Sequence, residues 1–186
     1  MTLQERLPPG KYALRVADYA MLGEAGIFGD RRTELIEGDV IVMAPEFRPH
    51  AYVRDELAYR LRRVLEETGS RWYVSVGSVA LNETTMPQPD IVLTSEPRGP
   101  GAIPASSVPL LVEVSSSTLD TDLGRKLELY AAAGVPEYWV VDVNKGLIHQ
   151  MWQPSGEAYA EKREIAFGRP ITAAIIPDLT IETTSL

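Results

Sequence analysis

The amino-acid sequence predicts an α/β (mixed α+β) fold, in a single domain over residues 1–186. Three observations lead there. A chain of 186 residues with 45% hydrophobic content can build one substantial core and is short for two. A long segment, roughly His50 to Glu67, repeats Val53, Leu57, Leu61 and Leu65 at helical spacing. Farther along, two strand-like runs, Leu110 to Val114 and Glu137 to Asp142, bracket a helical stretch. Strand, helix and strand in that order make a parallel crossover, with the helix against one sheet face.

The remaining elements follow in order. Arg15 to Ala25 reads as a short helix, with Asp18 near its start and Gly26 as its stop. Thr33 to Met43 reads as two short strands turning at Gly38-Asp39, where Gly38 suits a turn that needs positive φ. Pro45 and Pro49 bracket a loop before the long helix. The opposite side of that helix carries Arg54, Arg60, Arg62 and Arg63, either a solvated face or a phosphate-facing patch. After Gly69, the alternating stretch Arg71 to Leu81 reads as a strand, and Pro87 and Pro89 lead into another over Ile91 to Thr94. Ser95 to Ser107 is rich in proline and glycine and reads as an irregular surface loop or a cover for a groove. Ser115 to Thr118 offers hydroxyl caps for a helix from about Asp120 to Ala133, which Gly134-Val135-Pro136 stops. A hairpin near Asn144-Lys145-Gly146 and further strand-like pieces to Ile181 complete the chain.

Composition excludes several chemistries. With no cysteine there is no disulfide, thiolate zinc site or cysteine nucleophile, and His50 and His149 alone cannot build a histidine-rich metal site. Met1 to Arg6 is not a basic start leading to an apolar segment, and no apolar run approaches the roughly 18 residues of a membrane span, so a soluble, cytoplasmic protein with no membrane partner is expected. The net charge of −8 is the wrong sign for non-specific nucleic-acid binding over the whole surface, though a local arginine cluster can still form a footprint. The only lysines are Lys11, Lys126, Lys145 and Lys162.

Against that background two acids stand out. Asp90 begins one strand and Glu113 lies inside the next, 23 residues later, both in apolar surroundings where an unpaired carboxylate is costly. If the strands are neighbours, the two side chains point to one place and offer the hard oxygen ligands that Mg2+ or Mn2+ prefers, with the Val114 carbonyl as a third. Asp122, Lys126 and Tyr130 share one helix face by their four-residue spacing, so Lys126 can be aimed back at the acids; the plainer reading is a surface pair of Asp122 with Lys126.

These residues carry a resemblance. Pro89-Asp90 followed by Glu113-Val114-Ser115 resembles the signature of the PD-(D/E)XK nuclease superfamily, the restriction-endonuclease-like fold. The order of long helix, three-stranded meander, crossover helix and returning strand is similar too. A wider series resembles one large bacterial branch of that superfamily: Thr33 to Gly38, Glu113-Val114-Ser115 with Thr118, Asp122, Lys126, Tyr130, Gly134-Val135 and Glu137-Tyr138-Trp139. The resemblance covers most of residues 10 to 145 and implies a central mixed sheet flanked by helices, with an extra N-terminal hairpin and C-terminal strands. One departure is clear: Ser115 stands two after Glu113, where the superfamily usually has its lysine, and Lys126 occupies the helix position that some branches use instead.

The resemblance implies a Mg2+- or Mn2+-dependent endonuclease acting on DNA, with Asp90, Glu113 and Lys126 as catalytic residues and Asp90, Glu113 and Val114 around the metal. Glu34 or Glu37 supplies the further acid that the superfamily draws from before the meander; strand alternation favours only one of them, here Glu34. His50, Ser115 and Tyr130 are accessory candidates, His50 as a phosphate contact, an auxiliary base or a structural residue. Tyr138 and Trp139 are expected in the core, and Glu137 as a strand-edge charge or a partner for a cation near the site. Replacing Asp90 or Lys126 by alanine is expected to abolish cleavage and leave folding largely intact. A homodimer follows by analogy, because cutting both strands of a duplex calls for two sites. Two other functions stay open: a catalytically inactive binding module, motivated by Ser115, and a hydrolase of a smaller nucleotide, which suits an acidic surface.

Overall fold

A computed structural model describes residues 10–186; Met1 to Arg6, read above as no targeting segment, lie outside the described residues. After helix α1 (Val16–Glu24) come the hairpin β1 (Thr33–Ile36) and β2 (Asp39–Val42), and then helix α2 (Arg48–Glu67). The core strands are β3 (Tyr73–Ser75), β5 (Ile91–Thr94), β7 (Leu110–Ser115), β8 (Glu137–Asp142), β9 (Leu147–Ser155) and β10 (Ala158–Ala166), with the short β4 (Val79–Ala80) and β6 (Ile103–Pro104) between them. They form one six-stranded sheet in the order β10-β9-β8-β7-β5-β3, while β4 and β6 pair in parallel beside it. Every contact in the large sheet is antiparallel except β7 with β8, the crossover pair.

The position of β7 and β8 in the middle of the sheet explains their composition, since every residue of both is buried. Alternation then divides the core in two. On one face Val112, Val114, Trp139 and Ile91 pack under Val53, Leu57, Leu61 and Leu65 of α2. Each such buried aliphatic side chain contributes about 1.5–3 kcal/mol. On the other face Val92, Leu111, Tyr138 and Val140 pack with Tyr130 and Val135 of the crossover. The short pair β11 (Ile171–Thr172) and β12 (Thr180–Ile181) closes the α2 side. Among the described residues no helix is long and apolar enough to cross a membrane.

Several expectations are corrected. The hairpin turns at Glu37-Gly38, with φ of 52° and 83°, because a tight two-residue turn that follows the strand twist needs positive φ at both central positions. Glu37 therefore sits in a turn and not on a strand face. Pro49 lies inside the first turn of α2, where its missing N–H costs nothing. The stretch Arg71 to Leu81 is two strands and not one, broken around Gly77 at φ 154°. Ser95 to Ser107 is less irregular than its composition suggests, containing β6 and a 3-10 turn over Ala105–Ser107.

The crossover helix is the largest departure. It starts as α3 (Leu119–Thr121), widens into a π-turn over Asp122–Lys126 and resumes as α4 (Leu127–Ala132); Gly124 in the turn has non-helical φ −108° and ψ −106°. The hydroxyls before it do not cap the helix. Ser115 Oγ and Thr118 Oγ1 each donate instead to Asp122 Oδ2, both at 2.6 Å. Glu137, expected as an edge charge or a cation's partner, is fully buried; it accepts from Trp139 Nε1, Gln150 Nε2 and the backbone N–H of Ala174 and Ile175. Four N–H donors satisfy that carboxylate, in place of either solvent at a strand edge or a cation near the site.

Candidate active site

The site is assembled at the end of β5, beside the middle strands. Ile91 of β5 faces Val112 of β7, so one step further along the ladder Asp90 lies across from Glu113. By alternation both side chains emerge on the face that carries the crossover helix, since Val92 and Leu111 already lie there. Asp90 Oδ2 accepts a hydrogen bond from the Val114 N–H at 2.8 Å. In a strand a residue's N–H and C=O turn the same way, so the Val114 carbonyl faces the Asp90 side as well.

Glu113 is 4% exposed, and its Oε1 accepts hydrogen bonds from Lys126 Nζ at 3.0 Å and Tyr130 OH at 2.7 Å. Lys126 Nζ also lies 3.4 Å from Glu34 Oε2 and 3.9 Å from Asp122 Oδ1. Lys126 is thus a shared counterion for three acids, and the surface-pair reading of Asp122 with Lys126 is corrected, because both residues are buried. The β1–β2 hairpin brings Glu34 in. Leu35 and Met86 exchange backbone hydrogen bonds at 3.2 and 2.7 Å, which seats Glu34 against the entry to β5, where it accepts from the Gln88 N–H.

The electrostatics follow from burial. Burial pushes the Glu113 carboxyl up to about 8, Lys126 opposing the shift. Burial also raises Asp122, against Lys126 and the two hydroxyl hydrogen bonds. Burial works against the charge on Lys126, but Glu113, Glu34 and Asp122 overcome it and hold the ammonium protonated well above its ordinary value. The Tyr130 hydroxyl, raised by burial beside Glu113, remains a donor.

The other accessory candidates divide. His50 Nε2 is 3.3 Å from Asp90 Oδ2, and this contact raises the imidazole pKa against desolvation. Its Nδ1 lies 2.8 Å from Glu46 Oε1, yet makes no hydrogen bond of acceptable direction. Glu37 turns away, and Arg125 Nε donates to it at 2.9 Å on the surface. Of the α2 arginines, Arg54 pairs with Glu46 and Asp55, Arg60 with Glu56 and Arg63 with Glu67, so this face is mostly a solvated, self-paired one.

Sequence reasoning missed Glu46. With His50 and Asp90 it offers three ligand atoms within 4.8 Å of one another. The available signal was the four-residue spacing of Glu46 and His50 at the start of α2. The whole group lines a cleft of about 290 Å³, in which Glu34, Glu46, Asp90, Glu113 and Asp122 outnumber Arg32 and Lys126. A donor set of carboxylates, one carbonyl and one imidazole, with excess negative charge and an unsatisfied imidazole nitrogen, fits a hard divalent cation.

The comparisons agree with this architecture. A solved structure, "Crystal structure of a putative nuclease belonging to DUF820 from Anabaena variabilis ATCC 29413", superposes with a TM-score of 0.66 at 15% identity, over 89% of this chain and 90% of that one. At that identity the likeness concerns the fold, which is restriction-endonuclease-like. NucC of E. coli MS115-1, in its cAAA-bound form, matches over 48% of this chain and 51% of its own at 15% identity, with a TM-score of 0.28 that carries no weight. No curated protein matches the sequence. The family Uma2, described as "Putative restriction endonuclease", matches residues 18–184, nearly the whole chain. The chain therefore belongs to the Uma2 family, which is consistent with the PD-(D/E)XK superfamily that its motifs resemble.

Proposed function

We propose that this protein is a divalent-metal-dependent endonuclease that hydrolyses DNA phosphodiester bonds. The observation that supports the reading most is the convergence, in one cleft, of Asp90 from the start of β5, Glu113 from β7 and Lys126 from the crossover helix. Asp90 and Glu113 would hold Mg2+ or Mn2+ with the Val114 carbonyl, and Glu34 would join them as the acid contributed by the hairpin. A bound divalent ion would supply polarisation of a phosphoryl oxygen and a lowered pKa for an attacking water. Lys126 orients that water and stabilises charge on the phosphate. Tyr130 holds the Glu113 carboxylate in place through its hydroxyl, 2.7 Å away. Asp122, gripped by Ser115 and Thr118, keeps Lys126 directed into the cleft.

Ser115 had motivated an inactive reading. Its hydroxyl supports Asp122, while Lys126 Nζ stands 3.0 Å from Glu113 and supplies the cation that Ser115 lacks. This favours hydrolysis over an inactive module. A smaller nucleotide substrate remains the second reading, supported by the net charge of −8. Incubating plasmid, single-stranded and branched DNA with Mn2+ or Mg2+ separates these. Cleavage is expected with wild-type protein. Asp90→Asn keeps an acceptor for the Val114 N–H and should lower the rate at least about 100-fold, the upper end of what losing even an outer-shell partner of a metal site costs. Absence of cleavage on all three substrates, together with hydrolysis of a dinucleotide, would transfer the assignment to the second reading.

A further inference from the structure

The cleft has two unlike walls. One is formed by the end of β2 and the segment leading to α2, where Ile41, Val42 and Phe47 are 43%, 56% and 70% exposed and line the same cleft as the acids. The other, formed by the turn after β7, presents Ser116, Ser117 and Thr118. Large apolar side chains grouped at the mouth of a charged site, not scattered singly, mark a contact surface. Phe47 sits just before the first turn of α2 in extended conformation (φ −99°, ψ 161°), so the start of that helix fixes its place.

We infer that this apolar lip stacks an unpaired base of the substrate while the serine and threonine side of the cleft faces its sugar and phosphate, so that the enzyme selects DNA with unpaired nucleotides over intact duplex. The inference rests on the hydrolytic reading above and names its substrate class. Two physical considerations support it. Counterion release is a weak source of affinity here: among the described residues Arg32 and Lys126 are the only lysine or arginine side chains lining the cleft, and Lys126 already serves Glu34, Glu113 and Asp122. Contact with bases must therefore supply binding that charge does not. In a duplex the base faces are already covered by neighbouring bases, whereas an unpaired base offers its face to an aromatic ring. A single strand also needs only one such site.

The test uses full-length protein and a fluorescein-labelled single strand, the same sequence as duplex, and an abasic strand of equal length, with Ca2+ in place of Mn2+. Anisotropy should show the single strand bound at least about tenfold more tightly than duplex, and the abasic strand losing that advantage. Phe47→Ala should weaken single-strand binding by about 5- to 150-fold, the range that stacking of one base spans, with Phe47→Trp restoring it and duplex binding unmoved. Equal or tighter duplex binding would overturn the inference, as would a Phe47→Ala protein that binds normally. So would a Phe47→Ala effect confined to a monomer–dimer equilibrium, which would make the lip a contact between copies of this chain. Separate cleavage assays keep the two readings apart. A Phe47-dependent preference without cleavage in Mn2+ or Mg2+ supports the lip and removes hydrolysis. Cleavage without the preference overturns the lip and leaves hydrolysis standing.

Discussion

Lys126 is the residue on which the buried acids depend. The residue is 8% exposed and its ammonium lies within 4 Å of Glu34, Glu113 and Asp122, so removing it strands several carboxylates in a low-dielectric site. Lys126→Met is therefore expected to lower the unfolding free energy of metal-free protein by about 3–5 kcal/mol, in contrast to the neutral effect that its sequence position suggests. Urea denaturation measures this, and Mn2+ should recover part of the loss by supplying another cation. Glu113 gives a pH signature. Its carboxyl is raised to about 8 in the folded chain from an ordinary value of 4.5. Between those values the folded state holds a proton that the unfolded chain has released, so stability falls as pH rises through the interval. His50, also raised, acts in the same direction. Unfolding of metal-free wild type and Glu113→Gln across this range should show a steeper decline for wild type; parallel curves would contradict the assignment of burial as the cause. Asp90 and Glu113 were legible in the sequence because a carboxylate in an apolar strand is conspicuous. Glu46 was not, because its four-residue spacing from His50 is the only local signal and gains meaning when the fold brings Asp90 within reach.

At the scale of elements, the β1–β2 hairpin and the π-turn set the geometry. Gly38 adopts φ +83°, and a Cβ there would come within 2.6 Å of Ala13 Cβ and 2.7 Å of its Cα. Gly38→Ala combines positive-φ strain with a backbone collision, so a loss of about 1–3 kcal/mol is expected, measured by thermal unfolding. Because the same hairpin seats Glu34, metal affinity should weaken in parallel. The long helix and the parallel crossover were readable from periodicity, since Val53, Leu57, Leu61 and Leu65 all face the core and β7 pairs β8 in parallel. The π-turn was not. Simple four-residue spacing groups Asp122, Lys126 and Tyr130, but the widened turn arises from packing against β7, where Ser115 and Glu113 hold Asp122 and Lys126. Such bulges in helices commonly mark functional positions. The break between β3 and β4 escaped although the alternation changes phase at Gly77, from Val74 and Val76 to Val79 and Leu81; the parallel pairing of Val79 with Ile103 then takes its end out of the main sheet.

At the scale of the whole molecule, a chain with net charge −8 gathers five acids around one cleft, where the described residues set Arg32 and Lys126 in the lining and Arg54 beside Glu46. This imbalance is intelligible if the working protein carries a divalent ion there. The sheet makes the arrangement possible, since its meander brings the start of β5 beside β7 and its crossover returns a helix over the same face. Diffraction from crystals grown with Mn2+, using the anomalous signal of the metal, tests this most directly. An ion in contact with Asp90 and Glu113, with the Val114 carbonyl among its ligands, is the expected result. A cleft still closed by Lys126 against Glu113 at saturating Mn2+, or an ion bound elsewhere on the acidic surface, would contradict it.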